Sequence, residues 1–197
     1  MLDFKRNYIL EDERVLLRPL CSEDVEHLRI FSINEPELWK YSSQKADNEE
    51  ALVNYVSTAM HNREKLMEYP FIVFDKKIQQ FAGSTRYYDI QLSHQTLQLG
   101  YTWYGKEFHG TGLNKHCKFL LLHFAFETLK MERVEFRADL KNARSIAAMK
   151  SIGCMEEGVL RSNMLLPDNR RRDSIVLSIL KDEWFAVVKD KLKERIY

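Results

Sequence analysis

The sequence predicts an α+β (mixed α/β) fold built on a mixed, mostly antiparallel sheet. Three observations carry this: three consecutive strand-like runs between residues 71 and 103, a strand, glycine loop, helix, strand unit between 97 and 138, and a hairpin pattern between 157 and 180. At 197 residues, with no Gly/Ser- or Pro-rich linker, repeat or low-complexity tract, a single domain is expected over residues 1–197.

The elements follow in order. Val15, Leu17 and Leu20 mark a short strand, after which Ser22, with Glu23 and Asp24 behind it, is placed to cap a helix carrying Val25, Leu28 and Ile30. Pro36 should interrupt that helix. Asp47 and Glu50 resemble a capping box opening a second helix, on which Leu52, Tyr55, Val56, Ala59 and Met60 recur at helical spacing. Residues 71–74, 81–88 and 97–103 then read as an antiparallel meander, turning first at Asp75-Lys76-Lys77. Gly83 and Gly100 interrupt these strands, which marks a bulge or a close approach to the backbone.

The loop Tyr104 to Gly112 opens a helix from about Asn114 to Leu129 that is apolar around most of its circumference, and therefore central. Residues 133–138 alternate as a strand. A short helix over 143–152 has Asn142 as N-cap and Gly153 just past its end. Residues 157–166 and 172–180 flank the turn signal Pro167-Asp168-Asn169, and Asp182 begins a last helix with Trp184, Val187, Val188 and Leu192.

Composition narrows the function. Hydrophobic residues make up 45% and charged residues 30%, which suits neither a disordered nor a membrane-embedded chain. A formal net charge of +1 gives no bulk field to recruit nucleic acid or anionic lipid, so neither is expected as a partner. The longest apolar run, 119–126, contains His123 and falls far short of the ~20 residues that span a bilayer. Met-Leu-Asp-Phe-Lys-Arg does not lead into a signal peptide, and a cytoplasmic location is expected. Cys21, Cys117 and Cys154 are widely spaced and odd in number, so they read as reduced packing residues. His109, His116 and His123 lack the spacing of a metal motif, and no metal is expected.

The chemistry concentrates at His109-Gly110-Thr111-Gly112-Leu113-Asn114-Lys115. A helix start carries N–H groups without intrahelical partners and a partial positive charge, so a glycine loop there can cradle a phosphate; it can equally be a tight turn. The dinucleotide fingerprint fails at Lys115 and no Walker motif exists, which disfavours a dinucleotide or nucleoside triphosphate. Asn142-Ala143-Arg144-Ser145 starts a second helix directly after the next strand. Two helix starts should therefore face one cleft.

With these segments stand Glu13-Arg14-Val15-Leu16-Leu17-Arg18-Pro19, Leu99-Gly100-Tyr101-Thr102-Trp103, Gly153, Glu157-Gly158-Val159-Leu160-Arg161 and Arg172-Asp173-Ser174. In this order the chain resembles the GNAT superfamily of acetyl-CoA-dependent N-acetyltransferases, and within it the RimJ/RimL-like (ribosomal-protein-alanine acetyltransferase) branch. The resemblance implies a sheet splayed open between the strand ending near Trp103 and residues 133–138, with helices on both faces and acetyl-CoA wedged in the split. It places the cofactor diphosphate on amides of His109, Gly110, Thr111, Gly112, Leu113, Asn114 and Lys115. The pantetheine arm would run along Tyr101, Thr102 and Trp103, with Asn142 bonding it. It implies transfer to a primary amine, either a protein N-terminus or a small molecule, by direct attack, and a monomer or homodimer. His109 and Asn114 depart from the usual loop pattern, which main-chain donors tolerate. Met149 stands where many relatives carry a tyrosine acid, so that acid is ruled out here.

Ser145 is the candidate proton donor to the departing thiolate. For the base, Asp89, His94, Glu135 and Asp173 stay unranked, and an oxyanion donor is sought around residues 101–103, freed by a bulge at Gly100. Trp39, Tyr41, Tyr87 and Tyr88 could wall an acceptor pocket or edge the core, and Arg170-Arg171-Arg172 could greet an acidic acceptor or form a solvated turn. Two other readings remain: a non-catalytic acyl-CoA-binding regulatory module, and a nucleotide-binding βαβ protein.

Overall fold

The computed structural model describes residues 2–196. Eight strands form one sheet in the order β1-β2-β3-β4-β5-β6-β8-β7. These are β1 (Leu10–Glu11), β2 (Val15–Pro19), β3 (Tyr69–Asp75), β4 (Gln80–Gln91), β5 (Thr96–Tyr104), β6 (Arg133–Asp139), β7 (Met155–Leu165) and β8 (Arg171–Leu180). Every neighbouring pair is antiparallel except β5 and β6.

That one parallel contact positions the site. β5 and β6 are in register only at Thr96↔Arg133, Leu97↔Val134 and Gln98↔Glu135. Beyond Gln98 the remaining residues of β5 have no strand on that side, so the sheet opens into a wedge. The splay implied by the resemblance is present.

Helices α1 (Asp24–Asn34) and α2 (Glu49–Glu64) cover one face of the sheet; α3 (Leu113–His123) crosses the other. Strand alternation sorts the side chains between them. Tyr87 of β4 donates its hydroxyl to the Leu121 carbonyl of α3 at 2.6 Å. Its neighbour Arg86 points the opposite way, with its guanidinium 4.6 Å from the ring of Tyr55 on α2. Leu113, Cys117, Leu121 and Leu122 are fully buried, and α3 runs on through a π turn, Phe124–Thr128, against Trp184. Helix α4 (Ala143–Ser151) follows β6. A short α5 (Lys181–Glu183), a second π turn and α6 (Lys189–Lys193) close the described chain.

Most predicted elements form within a residue or two of their expected bounds, and Pro36 does end α1, opening a 3-10 turn, Pro36–Trp39. Several local details differ. Ser22 does not cap α1: its hydroxyl bonds Glu23, while the buried Asp24 carboxylate takes Arg18 and the Cys21 N–H, a stronger charged arrangement. The cap of α2 is Asn48, whose Oδ1 accepts from Ala51 N at 2.9 Å, one residue after the expected Asp47. Ile30 and Val187 are 58% and 41% exposed, off the buried stripes that their helices present. The last helix starts at Lys181.

Candidate active site

The wedge between β5 and β6 is rimmed by two helix starts. Gly110 and Gly112 hold φ of 76° and 90°, a left-handed geometry that glycine adopts without strain. A Cβ at either would meet nothing within 4 Å, so the loop is open to a ligand. Among the described residues the N–H groups of Thr111, Gly112 and Asn114 find no acceptor, and that of Leu113 reaches only Thr111 Oγ1 at 3.4 Å. Lys115 N bonds the Gly112 carbonyl at 2.9 Å, so its amide is committed within the helix start and the donor set is shorter than the sequence suggests. These unpaired amides at the positive end of α3 are chemically suited to a diphosphate.

The second helix start is tied directly to the first. Arg144 of α4 donates to His109 Nδ1 at 2.8 Å, and His109 Nε2 donates to the Tyr104 carbonyl at 2.9 Å. Accepting from a guanidinium requires an unprotonated Nδ1, which fixes the neutral Nε2–H tautomer. Burial and then the Arg144 charge hold the His109 imidazole below its ordinary pKa, in agreement with that tautomer. Asn142 Oδ1 caps α4 by accepting from Ser145 N at 3.1 Å, which leaves its amide NH₂ to donate. Ser145 is half-buried and its hydroxyl makes no hydrogen bond to protein among the described residues. Met149 is buried in the core.

On β5 the irregularity falls at Tyr101–Thr102, where two residues lie between the Trp103↔Ser84 and Gly100↔Arg86 pairs against one on β4. Tyr101 itself takes φ of 49°, the left-handed residue of the bulge. The bulge is thus one residue beyond the expected Gly100. Gly100 serves the other role foreseen for it, close approach: a Cβ there would lie 2.8 Å from Tyr88 Cε1. The indole N–H of buried Trp103 donates to Tyr55 Oη at 3.2 Å, and Asn114 Oδ1 accepts from Tyr104 Oη at 3.2 Å. Leu113 packs wholly inside the core.

The bulge turns different residues to the two faces of the wedge. Toward α3, Thr102 Oγ1 accepts from the buried Lys118 Nζ at 2.7 Å and shares a 2.7 Å bond with Thr85 Oγ1. Lys118 also sits 5.9 Å from the Phe136 ring of β6, so its amine lies between the diverging strands. Burial without a carboxylate partner pulls its pKa down to about 8. Toward α2, the Tyr101 ring lies under Arg86 at 4.3 Å and edge-on to Tyr88 at 5.0 Å. Arg86 is paired with buried Glu68 at 2.7 Å. Sequence reading did not single out Lys118, Glu68 or Arg86. The signal for Lys118 was available, since it stands one turn before Leu122 on an otherwise apolar face; Glu68 and Arg86 meet only through strand pairing.

The carboxylates and histidines considered as bases separate on inspection. His94 lies in the β4–β5 turn at the closed end of the wedge, exposed. Asp89 is exposed and accepts from Gln98 and Gln91. Glu135 is held between Arg133 and Arg137 at 2.8 and 2.7 Å. Asp173 caps the Ser162 N–H at 2.7 Å. Of the aromatic residues weighed as an acceptor pocket, Tyr87 faces α3, Trp39 is buried against Trp103 at 4.9 Å, Tyr41 lies under the Lys40 amine at 5.4 Å, and Tyr88 fronts the wedge. The three arginines of the β7–β8 turn have three fates: Arg170 binds Asp139 at 2.5 Å, Arg171 binds Ser162, and Arg172 is buried. A 160 Å³ cavity joins the Pro36–Trp39 turn to Leu166, Pro167 and Asp168, so the N-terminal segment and this turn do meet.

The cysteines are free, and burial pushes Cys117 and Cys154 up to about 12, so neither offers a thiolate at neutral pH. The histidines do not gather. His116 instead pairs with Asp12 at 2.7 Å, in a group with Glu13 whose ligand atoms lie within 4.8 Å of one another, on the β1 side of α3. Among the described residues no helix is long and apolar enough to cross a membrane.

The comparisons with known proteins agree with this geometry. The family model described as an acetyltransferase (GNAT) domain matches residues 14–155. YdaF of Bacillus subtilis (strain 168), assigned as a ribosomal N-acetyltransferase, is 31% identical over 103 residues, a match covering 52% of this chain and 55% of that protein. YjcK of the same organism, assigned as an N-acetyltransferase, is 26% identical over 180 residues, covering 89% of this chain and 98% of its own length. A crystal structure from T. thermophilus, assigned as an acetyltransferase, superposes with a TM-score of 0.86 at 35% identity, covering 96% of this chain and 97% of that one. Splayed strands, an open glycine loop at a helix start and a family match over most of the length converge: the chain belongs to the GNAT family, whose members use acetyl-CoA as cosubstrate, and it is an N-acetyltransferase.

Proposed function

We propose that the chain moves an acetyl group from acetyl-CoA, seated in the β5–β6 wedge, to a primary amine that enters from the α2 face. The observation that carries this reading is the pairing of β5 with β6 over three residues only, with unpaired amides at the rim. The diphosphate would take the N–H groups of Thr111, Gly112 and Asn114, with His109, Gly110, Leu113 and Lys115 shaping the loop. The pantetheine would follow the free edge of Tyr101, Thr102 and Trp103, reaching the amide of Asn142.

The bulge at Tyr101–Thr102 releases a main-chain donor for the negative charge that develops on the thioester oxygen. The amine nitrogen bonds the carbonyl carbon as the C–S bond breaks, and the Ser145 hydroxyl donates a hydrogen bond to the departing sulfur. Glu68, fixed by Arg86 beside Tyr101, is the carboxylate best placed to receive the proton of the amine, through water. Direct attack is favoured because the two buried thiols are held protonated. The acceptor belongs to the class of protein N-termini or small amines, as the RimJ/RimL-like resemblance suggests, and the enzyme acts as one domain, in a monomer or homodimer.

A thermal-shift series with CoA, acetyl-CoA, NAD and ATP, followed by CoA release across an amine panel, tests this. Stabilisation by CoA and acetyl-CoA with amine-dependent release is expected. Stabilisation without release would favour a regulatory module, and stabilisation by NAD or ATP alone would overturn the proposal.

A further inference from the structure

The α2 face of the wedge carries a charge that the protein does not neutralise. Its other charged groups close on one another: Arg86 with Glu68, Arg170 with Asp139, and Arg133 and Arg137 with Glu135 and Glu157. Among the described residues no carboxylate forms an ion pair with Arg172 of β8. It is 8% exposed, and its Nε is buried without a hydrogen-bond partner. Asp139, which acts on it electrostatically, is already taken by Arg170. Burial accordingly holds the Arg172 guanidinium below its ordinary pKa.

A second orphaned donor lies over the Tyr101 ring. Arg86 is 1% exposed, spends one Nη on Glu68, and leaves its Nη2 buried and unbonded. Tyr101 is under Arg86 at 4.3 Å, Tyr88 stands against Tyr101 at 5.0 Å, and both tyrosines lie in the field of Arg172. Both guanidiniums thus act on Tyr101, the left-handed residue of the bulge. Leaving a buried donor unpaired is costly, more so when it is charged, so such a pair is expected to meet an anion in the working complex. The surplus is one positive charge, which matches a carboxylate and not a doubly charged group.

The geometry points to an anion subsite at the acceptor end of the wedge: Arg172 and Arg86 Nη2 bind a carboxylate carried by the amine that is acetylated, so the acceptor is an acidic primary amine. This rests on the acetyl-transfer reading above. The same chemistry is offered by a free amino acid, through its own carboxylate, and by a peptide whose second residue is acidic.

The test uses the full chain at saturating acetyl-CoA, with two matched pairs: serine against serinamide, and tetrapeptide amides beginning Ser-Asp against Ser-Asn. The expected result is kcat/KM at least tenfold higher for the acidic member of one pair, which also tells the two sources apart. Arg172→Gln should reduce that preference to under twofold, chiefly through KM, with Arg172→Lys restoring part of it. The acetyl-CoA thermal shift should be unchanged in both variants. Equal or better turnover of the neutral members, no turnover of either acidic member, or a preference that survives Arg172→Gln would overturn the subsite. Loss of the acetyl-CoA shift in the wild-type protein would instead overturn the acetyl-transfer reading.

Discussion

The rim of the wedge and its α2 face are built from different materials. The rim is written in backbone: two left-handed glycines, three unpaired amides and a helix start, none of which depends on side-chain identity. The α2 face is written in side chains, with Arg86, Tyr88, Tyr101 and Arg172 drawn from three strands and Glu68 from the turn before β3. On the proposed reading a common cosubstrate is gripped by features that many sequences can supply, whereas the acceptor is selected by particular residues. Changes at the rim should therefore abolish catalysis outright, and changes on the α2 face should redirect it.

The largest effect is expected from Gly112→Asp, which puts a carboxylate beside the unpaired amides and a Cβ on a residue at φ 90°. The acetyl-CoA thermal shift should vanish and turnover should fall more than 100-fold, measured with circular dichroism as a check on folding. If the shift survives, the rim does not hold the diphosphate.

Next is Lys118, whose buried ammonium lies on the α3 side of the wedge. Its folded pKa of about 8 lies below its unfolded value near 10.5, so between those limits the unfolded state binds more protons and stability rises with pH. Below pH 8 the folded state carries the full cost of the buried charge. Lys118→Met removes this dependence. The stability of the wild type relative to the variant should thus climb between pH 8 and 10.5, by roughly 3 kcal/mol at one pKa unit per 1.4 kcal/mol. Urea midpoints at both ends of the range measure it, and a flat difference would show the amine to be solvated.

Ser145→Ala should lower kcat by about tenfold and leave the acetyl-CoA shift intact. An unchanged kcat would remove the hydroxyl from the reaction. The smallest effect belongs outside the wedge: Asn48→Ala, which removes the cap of α2, should cost about 1 kcal/mol in chemical denaturation with no change in KM.

The rim was legible in the sequence because its signals are local. Gly110 and Gly112 announce a turn, Asn142 announces a helix start, and the strand before each is marked by alternation. The meander and the β7–β8 hairpin were legible for the same reason. The α2 face was not, because Glu68, Arg86 and Arg172 are brought together only by strand register, and a charge run such as 170–172 cannot say which of its members will be buried. At Gly100 the sequence marked an irregularity, but the packing of Tyr88 over that glycine and of Arg86 over the next ring decided that Tyr101 would carry it. Ser22 failed as a cap because the first amides of α1, those of Asp24, Val25 and Glu26, bond the carbonyls of Cys21, Ser22 and Glu23, and Asp47 failed because the neighbouring Asn48 offered a better-placed acceptor.

The three-residue seam between β5 and β6 has a mechanical consequence. It leaves the two halves of the sheet joined along a short hinge, by α3, which touches Tyr87 and Thr102 on one side and Phe136 on the other, and by the Arg144–His109 bond at the rim. This short seam lies at the closed end of the cleft. A molecule lodged there fastens both halves at once, and the enzyme should be at its most cohesive while loaded and loosest just after its product departs.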